Sequence, residues 1–361
     1  MQLTVKAKKL FKRKTIPSFL PDPKNIIGIV NENFTFEGEE VKNVPNPDLG
    51  KWYVDRDGHF YWGGGLSEGL KTFKAAAELT SNWWINALNL STIWDRFNEK
   101  GSLANIAILD SGFNTAITDV ADSVKDSKVF FTSVAGSPVT INDTFGHGTH
   151  CASLIGGRNK NFITSCAPES NLFIAKICSQ GSVRSFSIMV DAIKWAIEKK
   201  VDVISISYGG ETADEDLKNI IHSAVNDHNI IVVAAIGDVI PNSTNAPCFP
   251  ALFNDCIAVG ATEQNQQLSS ITIRNNKTEI NAPGENILGY ALSNTPETKT
   301  GSSQATAIVA GIIGLIISRH KKLGKKYSFD SIKELLTQNA DNVVGTQNAK
   351  LISPEKIFTK I

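Results

Sequence analysis

From Gly101 onward, short β-branched runs alternate with amphipathic helical stretches, and this alternation restricts the chain more than any other feature. Residues 106–109, 172–177, 201–206, 230–235 and 256–259 read as strands. Between them, residues 188–200 place Ile188, Val190, Ile193, Ala196 and Ile197 on one helical face, and residues 216–227 do the same with Leu217, Ile220, Ile221, Ala224 and Val225. Strands joined through helices do not form hairpins; the crossovers make them parallel, with helices covering both faces of the sheet. The expected fold class is therefore α/β. In an open sheet of this kind the chemically active groups collect at the carboxyl ends of the strands.

One more helix is expected from about Ser303, where Ile308, Val309, Ile312, Ile313, Leu315, Ile316 and Ile317 are apolar nearly all round, as in a helix buried at a domain centre. It begins in the small, polar stretch Gly301-Ser-Ser-Gln-Ala-Thr-Ala. Two readings of its serines are open. Ser302 or Ser303 caps the helix, or Ser303 places its Oγ at the positive end of the dipole, where developing negative charge is stabilised.

Two further groups fall near strand ends. Asp110 closes the run Ile-Ala-Ile-Leu-Asp, and a carboxylate there is able to fix a histidine tautomer. His147 lies between glycines in Phe145-Gly-His-Gly-Thr-His-Cys, with room for a partner on each side, whereas His150 is one turn further on and is expected to pack. Asp110, His147 and Ser303 together offer a hydroxyl nucleophile, a base for its proton and a carboxylate to orient the base.

Residues 1–65 differ in character. Short β-type runs at 3–5, 26–30, 34–36, 52–54 and 59–62 alternate with turn clusters, which reads as a small all-β domain. The segment from Gly50 to Gly64 reads as an aromatic hairpin turning at Asp57-Gly58. This hairpin resembles the last strands of a bacterial SH3-like module, a resemblance that implies a peptide or cell-wall glycan ligand; the aromatics equally suit a core or docking face. Residues 66–100 turn helical and read as a connector, which leaves 101–361 as the α/β domain.

With 361 residues and 36 basic against 36 acidic groups, the chain lacks the charge imbalance of a nucleic-acid binder. The local basic cluster Lys6, Lys8, Lys9, Lys12, Arg13 and Lys14 reads as a solvated strand face, and no apolar segment follows it as in a secretory signal. No apolar run reaches the roughly 18 residues of a membrane span. Five cysteines without CxxC spacing suit neither a zinc site nor a full disulfide framework, so reduced thiols in a cytoplasm are expected, with a Cys248–Cys256 pair left open.

From about Asn82 to its end the chain resembles the subtilisin-like serine proteases. The matching motifs are Asp110-Ser-Gly, His147-Gly-Thr-His and Gly301-Ser-Ser-Gln-Ala-Thr-Ala-Ile-Val-Ala-Gly, with Ser205-Ile-Ser-Tyr-Gly-Gly, Val233-Ala-Ala-Ile-Gly-Asp, Phe249-Pro-Ala, Ile257-Ala-Val-Gly-Ala and Asn281-Ala-Pro-Gly. The resemblance implies a serine endopeptidase acting on polypeptides without a cofactor. Ser303 would attack, His147 would take and return the proton, and Asp110 would hold His147. Ser207, Tyr208 and Gly209 would pair with substrate as an added strand and line the specificity pocket from one side. Ala234 and Ala235, with Ile236 altering the wall, would line it from the other.

The sequence departs from the family at several positions. Where the family has an asparagine whose amide donates to the oxyanion, this chain has Asp238; an ionised carboxylate has no hydrogen to donate. Asp238 is expected to be protonated in a dry site and to favour acidic pH, or the backbone donor at Ser303 works alone, or the enzyme is slow, switched or retired. Ala307 replaces a proline and leaves the backbone after the nucleophile less constrained, which keeps peptide ligation open beside hydrolysis. Asp119 matches a calcium ligand, but Lys160 stands at another liganding position, so no metal is assigned. The alternatives to a general endopeptidase are an inactive polypeptide-binding scaffold and a protease dedicated to processing or ligating one peptide.

Overall fold

The computed structural model describes residues 2–4, 9–13, 26–31, 35–42, 51–55, 59–62, 83–131, 139–159, 163–179, 185–239 and 245–361. The chain divides into two compact units, Met1–Ser81 and Asn82–Ile361.

The first unit holds strands β1 (Gln2–Thr4), β2 (Lys9–Arg13), β3 (Ile26–Asn31), β4 (Thr35–Glu40), β5 (Trp52–Asp55) and β6 (Phe60–Trp62). They form one antiparallel sheet in the order β1-β4-β5-β6-β2-β3. The expected hairpin is β5–β6, paired Trp52 to Trp62 and Tyr53 to Tyr61; its expected turn at Asp57-Gly58 lies outside the described residues. β2 runs through the basic cluster read as a solvated strand face, yet its Arg13 is buried. Trp52, Tyr53 and Tyr61 are buried as well. Much of the expected connector, residues 63–82, lies outside the described residues.

The second unit opens with α1 (Trp83–Ala87) and α2 (Leu90–Arg96). Next come β7 (Asn105–Asp110), α3 (Thr118–Ala121), β8 (Val124–Val129), α4 (His147–Gly156) and β9 (Asn171–Lys176). Then follow α5 (Phe186–Glu198), β10 (Val203–Ile206), α6 (Glu215–Asn226), β11 (Ile231–Ala235), β12 (Ile257–Thr262) and β13 (Ile280–Pro283). A ribbon of β14 (Ile287–Tyr290) and β15 (Pro296–Lys299) leads into α7 (Ser302–Lys322), and α8 (Phe329–Gln338), β16 (Asp341–Asn342), β17 (Lys350–Leu351) and α9 (Pro354–Phe358) close the chain.

The large sheet has the order β16-β17-β13-β12-β11-β10-β7-β9-β8, parallel throughout except for β16 against β17. β10 and β12 are buried at every position, as strands covered on both faces must be. β8, Val-Lys-Asp-Ser-Lys-Val, was not expected from the sequence because it is an edge strand whose charges face water. α7 is buried from Ser302 to Ser318 except at Ser303. By length and composition this helix passes for a membrane span, but 89% of that apolar window is buried inside the unit, as in a core helix. The sheet thus delivers three strand ends to one edge: Asp110 ends β7, Ser207 follows β10, and Ala235 ends β11.

Candidate active site

His147 begins α4, and its Nδ1 lies 2.9 Å from both carboxylate oxygens of Asp110. Asp110 also accepts the Ser111 N–H at 2.7 Å, so its carboxylate is fixed before it meets the imidazole. The loop that presents His147 is organised by a buried carboxylate that the sequence reading did not single out. Asp143 Oδ1 accepts from Ser111 Oγ at 2.9 Å, Phe145 N at 2.8 Å and Gly146 N at 2.9 Å. Its Oδ2 accepts from Thr149 N at 2.9 Å and Thr149 Oγ1 at 2.8 Å. Ser111 Oγ in turn accepts from Gly148 N at 2.9 Å, which ties the Asp110 loop to the His147 loop. Gly148 has to be glycine here, because a Cβ would collide with the carbonyl oxygen of Gly112.

The two histidines of the motif have opposite electrostatics. Burial alone would push the His147 imidazole down, but the Asp110 carboxylate beside it overrules this and holds His147 well above the usual range. His150 is fully buried with Nε2 3.1 Å from Ile287 O and 3.2 Å from Glu297 O; burial, helped by Lys299, pushes it down to about 3 and keeps it neutral. His150 therefore packs, and His147 is the histidine with a carboxylate partner. The buried Cys151 Sγ lies 3.9 Å from His147 Nδ1, and burial raises its pKa and keeps it a thiol.

Ser303 sits in the first turn of α7, and Ser303 and Ser207 are joined reciprocally. Ser207 Oγ donates to Ser303 O at 3.2 Å, and Ser303 Oγ donates to Ser207 O at 3.5 Å. No hydrogen bond joins Ser303 to His147, and Ser303 Oγ turns to Ser207 O instead. Asp238 lies alongside, its Oδ1 accepting the Ser302 N–H at 2.8 Å. Burial pushes the Asp238 carboxyl up, against the opposing pull of its bonds from Ser302 and of the His147 charge.

Of the expected pocket residues, Ser207, Tyr208 and Gly209 are half-buried beyond β10, as a substrate-pairing edge requires. The opposite wall differs from expectation. Ala234 and Ile236 have no exposed surface, because alternate residues of a strand end face the core, so Ala235 and Gly237 are the residues there that present surface. Cys248, half-buried, stands between the walls: a Cβ on Gly209 would lie 3.1 Å from its Cβ, and one on Gly237 3.0 Å from its Sγ. No motif marked Gly237 or Cys248 in this way. All five cysteines are free thiols, so Cys248 and Cys256 do not pair.

Asp119, at the expected calcium position, has protein partners. Asp119 is fully buried and accepts from Tyr290 Oη at 2.8 Å, and the positive charge beside it is the Arg158 guanidinium. Lys160 lies outside the described residues. Among the described residues, the group with metal-ligating spacing is Asp110, His147 and Cys151, whose ligand atoms lie within 4.8 Å of one another. Two of these are committed to each other, and the third remains protonated.

The subtilase family model, peptidase family S8, matches residues 101–353. The chain is 30% identical over 278 residues to the major intracellular serine protease of Bacillus subtilis, covering 76% of this chain and 79% of that protein. It is 30% identical to the intracellular serine protease of Paenibacillus polymyxa, over 64% of this chain and 71% of that one. To thermitase of Thermoactinomyces vulgaris it is 29% identical, over 68% of this chain and 84% of the relative. With a carboxylate-held histidine, a helix-start serine and a parallel sheet already in place, the match leaves one assignment: the chain belongs to the subtilase family of serine peptidases.

Proposed function

We propose that this protein hydrolyses internal peptide bonds of polypeptides, with Ser303 as nucleophile, His147 as general base and acid, and Asp110 as the group that orients His147. The observation that carries this reading is the bond from His147 Nδ1 to both Asp110 oxygens, which leaves Nε2 as the ring nitrogen for the serine proton. A substrate strand would lie along Ser207, Tyr208 and Gly209, with Ala235 and Gly237 opposite. The Ser303–His147 bond forms when substrate displaces Ser303 Oγ from Ser207 O; such bonds commonly tighten only in the loaded enzyme. Ser303 Oγ then bonds to the carbonyl carbon as its proton passes to His147. The leaving amine takes that proton, and water repeats the sequence on the acyl-enzyme.

Asp238 is the oxyanion-hole partner in this reading, beside the Ser303 N–H. Its Oδ1 is occupied by the Ser302 N–H, so Oδ2 is the oxygen that would carry a proton and donate. The N-terminal sheet is read as an SH3-like module; because Trp52, Tyr53 and Tyr61 are buried, a peptide or glycan would be read by other residues. Free thiols and relatives named as intracellular proteases favour a reducing compartment.

Intact-mass analysis after fluorophosphonate treatment tests the reading. One adduct is expected on the native protein and none on Ser303→Ala. No adduct on either the native protein or Asp238→Asn, across pH 5 to 9, would leave a polypeptide-binding scaffold in place of a protease.

A further inference from the structure

Gln304, directly after the nucleophile, is 2% exposed, and its Nε2 has no hydrogen-bond partner. An unsatisfied buried amide nitrogen is costly, so the other end of the same amide calls for an explanation. That end, Oε1, lies against Gly301: a Cβ on Gly301 would be 2.9 Å from Gln304 Oε1 and 2.9 Å from Asp238 Oδ2. Gly301 has φ 167, an extended conformation open to any residue, so glycine is required by this crowding and not by the backbone. Two side-chain oxygens thus converge on one glycine. If Asp238 is ionised they repel; if Oδ2 carries a proton, a rotation of the Gln304 amide makes them a hydrogen-bonded pair.

We propose that Gln304 is a positioning residue that favours the protonated form of Asp238, its Oε1 accepting from Oδ2–H. This deepens the oxyanion-hole reading above and rests on it. Among the described residues, His147 is the charge acting on Asp238: Ser302 offers its backbone N–H and a side-chain hydrogen bond that favours the carboxylate, and the bridge to Thr272 and the bond from Val239 N to Ile271 O are made by backbone. His147 is the titrating group across the site, and its charge opposes the proton on Asp238. Gln304 offsets that opposition by stabilising the neutral acid. Turned over, the same amide would present Nε2 and stabilise the carboxylate, and the two arrangements predict shifts of opposite sign.

The test is the rate of Ser303 phosphonylation against pH for the native protein, Gln304→Met and Gln304→Glu. The reactive form needs neutral His147 with protonated Asp238, so the acidic limb reports Asp238 and the plateau scales with the share of that form. Removing the acceptor with Gln304→Met should move the acidic limb down by about one pH unit and lower the plateau about tenfold. Gln304→Glu places a second carboxyl beside the first, so the two share a proton; the limb should move up and the plateau rise. Opposite shifts do not arise from packing damage, and the Glu variant decides the matter by itself if the Met variant fails to fold. Identical profiles in all three, or the reversed order, would overturn the role of Gln304 while Ser303 labelling still stands. Loss of labelling in the native protein and in Asp238→Asn alike would instead sink the underlying reading.

Discussion

Asp238 Oδ1 accepts the backbone N–H of Ser302 at 2.8 Å, one residue before the nucleophile. A side-chain amide at this place would do two things at once, accepting from the helix start with its oxygen and donating to the oxyanion with its nitrogen. The carboxyl keeps the first function without a proton and needs a proton for the second. In the proposed reading, the carboxyl therefore leaves the helix start intact and makes transition-state stabilisation depend on a proton.

That dependence sets the pH profile. Asp238 is raised by burial and His147 is raised by Asp110, so the favoured singly protonated form has imidazolium and carboxylate, and the reactive form is its minor tautomer. The second-order rate with a peptide substrate should rise with pH through the lower of the two macroscopic pKa values, level off, and fall through the higher. In Asp238→Asn the fall at alkaline pH should disappear, because neutral His147 is then the one requirement. The plateau should rise by about 10²-fold, the size of effect known for this donor in subtilisin itself. A native profile that stays flat into alkaline pH would show that Asp238 takes no part.

Asp143 is expected to matter both to the fold and to the rate. Asp143→Ala leaves the Phe145, Gly146 and Thr149 N–H groups and two hydroxyls without their acceptor, all but that of Phe145 at buried residues. A loss of about 3 kcal/mol in urea unfolding is expected, together with a fall in Ser303 labelling of more than tenfold as His147 loses its fixed approach to Asp110. Unchanged labelling in a folded Asp143→Ala protein would refute the positioning role.

Asp119 accepts from the Tyr290 hydroxyl and feels the Arg158 charge, and is expected to need no cation. Excess EDTA should leave the thermal midpoint where it is, and Tyr290→Phe should lower urea stability by about 1–2 kcal/mol with no recovery on adding Ca²⁺. A midpoint that drops with EDTA and returns with Ca²⁺ would contradict this account.

His150 makes stability depend on acid. Its pKa is depressed to about 3 in the fold against the ordinary 6.5, so below pH 6.5 the unfolded chain takes up a proton that the folded one refuses. Its contribution is complete above pH 6.5 and is lost progressively as the pH falls toward 3. Urea midpoints of native protein and His150→Gln should converge over that interval; parallel curves would show that His150 is not held neutral.

The parallel sheet was legible because period and composition are local properties. β10 and β12 are continuous apolar runs, α6 shows its stripe, and α7 is apolar all round. β8 escaped because an edge strand has water on one side and needs no apolar run, and β13, Ile-Asn-Ala-Pro, because its asparagine and proline read as loop. Asp110 and His147, which the structure joins, were singled out because a strand end and two flanking glycines mark them.

Asp143, Gln304 and Cys248 carry no such mark. A single polar or thiol side chain has no period, and its role depends on what the fold sets against it: five donors for Asp143, the crowded Gly301 for Gln304, two glycine walls for Cys248. The same holds for Ala234 and Ile236, which share a motif with Ala235 but face the core. By itself the sequence determined the α/β class and most strands and helices of the large sheet, which follow from hydrophobic period, and it proposed the reacting groups from their short-range motifs. Only the tertiary structure decided which polar atoms meet, and therefore which proton Asp238 must hold, because hydrogen bonding and desolvation act over about 3 Å between residues far apart in the chain.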